Sequence, residues 1–266
     1  MNKIYNCDWI DVTKINSKCD IIFYNNIIPE RFRENGIKIL FAFSEPEEVR
    51  CSNKEVIDNK DKFELIVAND EEILTKCNNA VKFIYGGCWV SEFVENKKEA
   101  AVSFLCGDKI RLSGHKIRHE IYTRKNEILS KNNFFDSKLR PYKNELPIFE
   151  SIDRKNELFR DISHHICIEN VKRNNWFTEK LIDCFITKTI PIYWGAPNID
   201  KYFNINGIIM CNDSDDIINA CNKISLEDYN SKLVYIEDNY YRALEYNQHY
   251  NHIITRLNRI IKEKIK

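Results

Sequence analysis

Between Cys167 and Pro197 the chain reads as two buried strands with a polar loop and a helix start between them. The first strand ends at Cys167-Ile168. A polar stretch, Glu169-Asn170-Val171-Lys172-Arg173-Asn174-Asn175, then leads to Trp176-Phe177-Thr178-Glu179-Lys180, where Thr178 opens a helix. The second strand, Ile190-Pro191-Ile192-Tyr193-Trp194, stops at Gly195-Ala196-Pro197. Uninterrupted apolar strands joined through a helix belong to a parallel α/β sheet covered on both faces. Such a sheet gathers polar side chains in the crevice beyond its strand ends, where ligands bind.

The same alternation runs along the rest of the chain. Strands are expected at 19–24, 37–43, 63–68 and 81–85, with a short helix over 70–76 and a turn at Gly86-Gly87. The charged stretch 92–99 breaks this pattern and marks a domain boundary. A fresh strand at 101–106 follows, then a helix over 115–129 and a long polar loop over 131–157. Beyond the 167–197 segment come a strand at 208–211, a helix over 213–224 and helical sequence from Leu226 onward. The expectation is two parallel-sheet α/β domains, 1–97 and 98–266, facing a cleft. The C-terminal helix, striped with Ile253, Ile254, Leu257, Ile260, Ile261 and Ile265, packs back on the body.

Composition narrows the class of ligand. Forty basic and forty acidic residues leave a net charge of zero, so no global field draws the chain to nucleic acid or an anionic membrane. Any phosphate site must be local. The ten cysteines include no Cys-x-x-Cys pair, and several sit in apolar runs. They read as reduced, buried thiols rather than a disulfide framework or a zinc site. No stretch approaches the roughly 20 apolar residues that span a bilayer, and the N-terminus lacks the apolar core of a signal peptide. Both favour a cytoplasmic protein. The basic residues Arg256, Arg259, Lys262 and Lys264 leave room for weak peripheral membrane contact through the last helix.

Within the 167–197 segment, Thr178 suits a helix N-cap, and the N–H groups at a helix start attract anions. Lys180 places a positive charge at that same end, where the helix dipole opposes it unless an anion is bound. Other polar pairs have duller explanations. Asp213-Ser214-Asp215 follows a strand and precedes a helix, where acids serve as caps. His164-His165 falls in a strand, where neighbours point to opposite faces. No Walker loop and no Gly-x-Gly-x-x-Gly occurs, which disfavours nucleotide hydrolases and dehydrogenases.

The Cys-x-Glu-Asn strand end, the Trp-Phe-Thr-Glu-Lys helix start and the Pro-Ile-Tyr-Trp-Gly strand resemble the signature of the α-1,3/4-fucosyltransferases, glycosyltransferase family 10. The resemblance is strong over 160–205, fair over 101–125 and thin before residue 90. It implies the GT-B arrangement of two Rossmann-like domains, with the sugar nucleotide on the C-terminal domain and the acceptor on the N-terminal one. It implies an inverting, metal-independent transfer of fucose or a related sugar from a GDP-sugar to a glycan hydroxyl, with no cofactor. The family's sugar-nucleotide contacts fall here on Asn170, Trp176, Glu179 and Lys180. Trp176 stands where the bacterial enzymes usually carry Tyr, replacing a hydroxyl with a donor-only indole N–H.

The family's diphosphate-binding Arg falls on Arg118, with Lys116 and Arg124 as alternatives. Its catalytic Glu falls on Glu45, just after the strand at 37–43, with Glu47 as the alternative. Animal and plant members carry an N-terminal anchor that this sequence does not show, so the resemblance is to the bacterial or viral type. Two other readings stay open: a transferase for a different nucleotide sugar, and a non-catalytic module that binds a sugar nucleotide or glycan.

Overall fold

In a computed structural model the chain forms two α/β units, and the structure describes residues 2–7, 10–15, 20–32, 35–90, 97–137, 148–149, 152–246 and 251–265. The first unit comprises Met1–Tyr85, Asn174–Trp176 and Gln248–Lys266; the second comprises Gly86–Arg173 and Phe177–Asn247.

The first unit is built on five parallel strands in sequential order: β1 (Lys3–Tyr5), β2 (Ile21–Asn25), β3 (Ile37–Ala42), β4 (Leu65–Ala68) and β5 (Ala80–Lys82). Their side chains alternate between two apolar layers, as the two-residue period of a strand requires. Ile22, Tyr24, Leu40, Ala42, Ile66 and Ala68 face one layer, which also receives Val56 and Ile73. These two come from helices α1 (Asn53–Asp58) and α2 (Glu71–Lys76). Crossovers of one hand, taken in strand order, put both helices on the same face. The opposite face carries Ile21, Phe23, Ile39, Phe41, Leu65 and Val67, and needs a cover from elsewhere.

The C-terminal helix, Asn251–Lys264, supplies that cover with Ile253, Ile254, Leu257 and Ile261. The last helix therefore belongs to the first unit, and not to a domain running unbroken from 98 to 266. Its apolar stripe is used in the core. The expected boundary segment lies largely outside the described residues, since 91–96 are not among them. β1 and α1 are the elements of this unit that the sequence reading missed; each is short.

The second unit has six parallel strands: β6 (Glu99–Cys106), β7 (Asn132–Ser137), β8 (Ile148–Phe149), β9 (Ile162–Ile168), β10 (Ile190–Trp194) and β11 (Ile209–Met210). Their order is β11-β10-β9-β6-β7-β8. Two of these strands, β7 and β8, lie in the stretch expected to be a long loop. Asn and Asp are poor strand formers, but β7 pairs with β6 over Val102–Cys106, and tertiary pairing overrides the preference. The strand order reverses between β6 and β9, so connections leave these two neighbours in opposite directions and open a crevice beyond their carboxyl ends.

Helix α3 (Ser113–Thr123) follows β6, and α4 (Glu179–Ile186) joins β9 to β10. Helices α5 (Ser214–Cys221), α6 (Leu226–Ser231) and α7 (Leu233–Ala243) complete the unit. Ile121 and Tyr122 from α3, with Ile217, Ile218 and Cys221 from α5, close the core against Val102, Phe104, Ile166, Ile168, Ile192 and Trp194. α3 begins two residues earlier than expected and ends at Thr123; a 3-10 turn, Lys125–Glu127, takes over beyond it. Among the described residues no helix is long and apolar enough to cross a membrane. None of the nine described cysteines is in a disulfide, and seven are buried.

Candidate functional site

The carboxyl end of β9 is where the second unit concentrates its charge. Glu169, the first residue after the strand, is fully buried. Its N–H donates to the Trp194 carbonyl at 2.9 Å, so the backbone stays beside β10. Its carboxylate accepts the Thr178 N–H and the Thr178 hydroxyl, both at 2.8 Å. Thr178 caps α4 as expected, its oxygen accepting the Lys180 N–H at 3.4 Å. The Lys180 ammonium donates to the same oxygen at 3.2 Å and to Glu179 at 2.9 Å. The cation at the helix start is thus balanced by its own neighbour.

The α4 start is anchored from both sides. Phe177 is fully buried in an aromatic cluster, its ring centroid 5.1 Å from Tyr202, 5.3 Å from Phe203 and 5.6 Å from Tyr246. Its carbonyl accepts the Gly86 N–H at 3.2 Å. Gly86 is in the left-handed region at φ 62°, and a Cβ there would meet the Tyr246 ring at 2.2 Å, so the Gly-Gly turn is a close approach. One turn into α4, buried Asp183 accepts the Trp89 N–H at 2.8 Å and pairs with the buried Lys155 ammonium. Lys155 also lies 4.9 Å from the Trp89 ring centroid.

Helix α3 closes the crevice from the β6 side. One Arg118 nitrogen donates to the Ile168 carbonyl and to Asn170 Oδ1, the latter at 3.0 Å. The Gly114 N–H donates to the Asn170 carbonyl at 3.0 Å. A Cβ on Gly114 would stand 1.7 Å from the Glu169 carbonyl oxygen, so only glycine lets α3 approach this closely. His115 is buried on the same turn, with the Leu112 N–H donating to its Nδ1 at 3.2 Å. Burial first, then the charges of Arg118 and Lys109 and, after them, of Lys180, push its pKa down to about 4. It is a neutral imidazole among cations.

The two acids of the site diverge. Burial drives the Glu169 carboxyl upward, with Lys180 opposing and Glu179 reinforcing the shift. Burial works in the same direction on Glu179, but there Lys180 and Lys155 outweigh it and hold the carboxyl down at about 2. For Arg118 burial disfavours the charged form, and Glu169 and Glu179 help to retain it. A buried edge with two cations, a helix start and paired acids can hold an anionic group and hydrogen-bond hydroxyls beside it.

Arg118, Asn170, Glu179 and Lys180 therefore converge on the end of β9. Of the alternatives to Arg118, Lys116 is exposed, and Arg124 is engaged by Glu127 at 2.8 Å and Asp215 at 2.7 Å. Trp176 falls in the first unit with Asn174 and Asn175. It is buried, and its indole nitrogen has no hydrogen-bond partner among the described residues. Asn175, at φ 60°, accepts from Lys82 at 3.0 Å and donates to the Asn69 carbonyl at 3.1 Å.

Glu45 also lies in the first unit, exposed, three residues beyond the end of β3. Buried Asn25 and Asn26 bracket the neighbouring Ser44 hydroxyl at 3.0 and 2.6 Å. The Glu47 carboxylate accepts the Asn53 N–H at 2.8 Å.

Asp213 caps α5 through the Asp216 N–H at 2.9 Å, and Asp215 pairs with Arg124. His164 and His165 are buried and bonded to Ser163 and Ser103, each at 2.7 Å. Residues that sequence reasoning passed over are Glu169, Gly114, His115 and the Lys155–Asp183 pair. Glu169 had a signal: it is the acid that directly ends an apolar strand.

No family model matches the chain. Over 63 residues it is 36% identical to the α-(1,3)-fucosyltransferase FucT of Helicobacter pylori, a match covering 24% of this chain and 13% of that protein. Among solved structures, an α1,3-fucosyltransferase with GDP-fucose aligns at a TM-score of 0.54 and 14% identity, covering 92% of this chain and 78% of the other. The Anabaena protein Alr3699/HepE in complex with UDP-glucose aligns at 0.58 and 12% identity, covering 92% and 78%. The fold is that of the GT-B glycosyltransferases. Over the matched stretch, which spans 13% of that protein's length, the chain is similar to an α-(1,3)-fucosyltransferase.

Proposed function

We propose that this protein is an inverting glycosyltransferase that moves fucose, or a related sugar, from a GDP-sugar to a hydroxyl of a glycan acceptor. The observation that carries the reading is the convergence of Arg118, Asn170 and Lys180 at the β6/β9 switch point, beside the capped start of α4. Arg118 and Lys180 stabilise the departing diphosphate, each charge-assisted bond contributing about 1.5–3 kcal/mol. Asn170 and Glu179 hold the nucleotide and its ribose, and Trp176 offers a flat apolar face. Glu45 takes the proton from the acceptor hydroxyl as that oxygen attacks the anomeric carbon and the nucleoside diphosphate leaves. In this scheme Arg118 and Lys180 neutralise the diphosphate in the role a metal ion would otherwise take.

The reading places the protein in the cytoplasm, which the undisulfided, mostly buried cysteines among the described residues support. Membrane contact through the C-terminal helix would rest on its basic residues alone, because Ile253, Leu257 and Ile261 are buried in the core. A different donor sugar is the second reading. It is favoured by Trp176, whose buried indole N–H can donate but cannot accept where Tyr could do both.

The test is GDP release from GDP-fucose in the presence of a panel of glycan acceptors. Acceptor-dependent release is expected, falling about 10²–10⁴-fold in Glu45→Gln. Release with no acceptor dependence on any glycan would leave a binding module as the better account. Full turnover in Glu45→Gln would remove Glu45 as the base.

A further inference from the structure

We propose that Glu169 is a positioning residue for Lys180, acting through the hydroxyl of Thr178; its consequence for ligand binding rests on the donor-site reading above. The Thr178 oxygen has Glu169 Oε2 at 2.8 Å, the Lys180 N–H at 3.4 Å and the Lys180 ammonium at 3.2 Å, and the Glu179 carboxylate also draws on its hydroxyl. Both Lys180 groups can only donate, and the Thr178 hydroxyl donates to Glu169 Oε2. With its hydroxyl proton on the 2.8 Å bond to Glu169, Thr178 turns its lone pairs towards Lys180. The direction of the whole chain, Lys180 to Thr178 to Glu169, is set by the acid at its end.

Glu169 is itself held without slack. Its other oxygen accepts the Thr178 N–H at 2.8 Å and its own N–H donates to Trp194. Gly114 packs on its carbonyl, and a Cβ at Gly195 would come within 2.8 Å of its Cγ. As a stability device a fully buried carboxylate is a poor choice, because taking it out of water opposes folding. As an acceptor of fixed position it does what a neutral group cannot. An amide in its place would present an N–H to Thr178, releasing the hydroxyl proton to face the ammonium.

Acylation of lysines in the ligand-free protein, followed residue by residue by mass spectrometry, reads this directly. Lys180 is expected to react about tenfold faster in Glu169→Gln and in Thr178→Ala, the loss of one bond to a charged group. Thr178→Ser should react like the wild type, and exposed Lys54 serves as the internal reference. An unchanged Lys180 rate in folded Glu169→Gln would overturn the proposal; if that variant fails to fold, an unchanged rate in Thr178→Ala would do so.

Titration with GDP then gives the consequence. Glu169→Gln should weaken GDP about tenfold in the wild-type background and have no effect in Lys180→Met. Additive losses would show that Glu169 acts only on the fold, and would also overturn it. Faster Lys180 acylation in a protein that binds no GDP would uphold the positioning role while refuting the donor-site reading.

Discussion

Replacing Gly114 by alanine should separate this account from one in which the loop after β9 is merely a connector. The added Cβ would lie 1.7 Å from the Glu169 carbonyl oxygen, 2.9 Å from its carbon and 3.0 Å from the Asn170 oxygen. All three are backbone atoms, so no side chain can swing aside. Relief needs α3 to back away by more than an ångström, enough to break the Gly114–Asn170 hydrogen bond and to draw Arg118 off Ile168 and Asn170.

Overpacking of this kind costs about 1–3 kcal/mol. The lost backbone bond adds roughly 1 kcal/mol, and the arginine contacts about 1.5–3 kcal/mol, shared between stability and ligand affinity. Urea unfolding should then show a loss of about 2–4 kcal/mol, and GDP affinity should fall by at least tenfold. Gly107→Ala is the control, since a Cβ there meets only the Ser137 hydroxyl at 3.4 Å, and it should behave as wild type. A Gly114→Ala protein with unchanged stability and unchanged GDP affinity would refute the claim that α3 and the β9 loop form one rigid crevice.

Acid sensitivity follows from the second sheet. Burial pushes His164 down to about 4, and burial with the Lys155 charge pushes His165 to about 3. Unfolded, each titrates near 6.5, so the unfolded chain binds protons that the folded one refuses. Their contribution to stability is complete above pH 6.5 and falls as the pH drops towards the folded values. The unfolding free energy measured in urea should fall by about 2–3 kcal/mol per pH unit between pH 6 and 5 on account of these two, with His115, itself held at about 4, adding roughly half as much again. Substituting both by Asn should flatten that slope; an equally steep decline in the double variant would reject the assignment to these two residues.

The fold was legible wherever side-chain pattern alone decided it. The apolar runs of β2, β3, β4, β6 and β10 are buried on both faces, and nothing else suits such runs in a chain of this length. Thr178 was readable as a cap because its chemistry is local. What escaped depended on partners far away in sequence. Asn132–Ser137 reads as a loop until β6 pairs with it. The destination of the C-terminal helix depends on which sheet face the sequential strand order leaves bare, and no residue in the helix records that.

The site divides in the same way. Asn170, Glu179 and Lys180 stand in one short segment and could be picked out from it. Lys180 was read as a cation lacking a counter-charge, whereas Glu179 at 2.9 Å supplies one. Arg118 needed the resemblance to be singled out from Lys116 and Arg124, because its bond to Asn170, 52 residues away, leaves no mark in the local sequence. Gly114 was invisible because its importance is the space it leaves for the Glu169 carbonyl. Lys155 was assigned to a surface loop; only the buried Asp183 opposite it makes it part of the α4 support.

Calorimetric titration of the wild-type protein and Lys180→Ala with GDP, UDP, ADP and CDP tests the central claim most directly. GDP should bind the wild type with the highest affinity, and Lys180→Ala should lose about tenfold or more of it, the share of one charge-assisted contact. Binding of UDP but not GDP, or GDP binding indifferent to Lys180, would contradict the assignment of the β9–α4 crevice as a GDP-sugar diphosphate site.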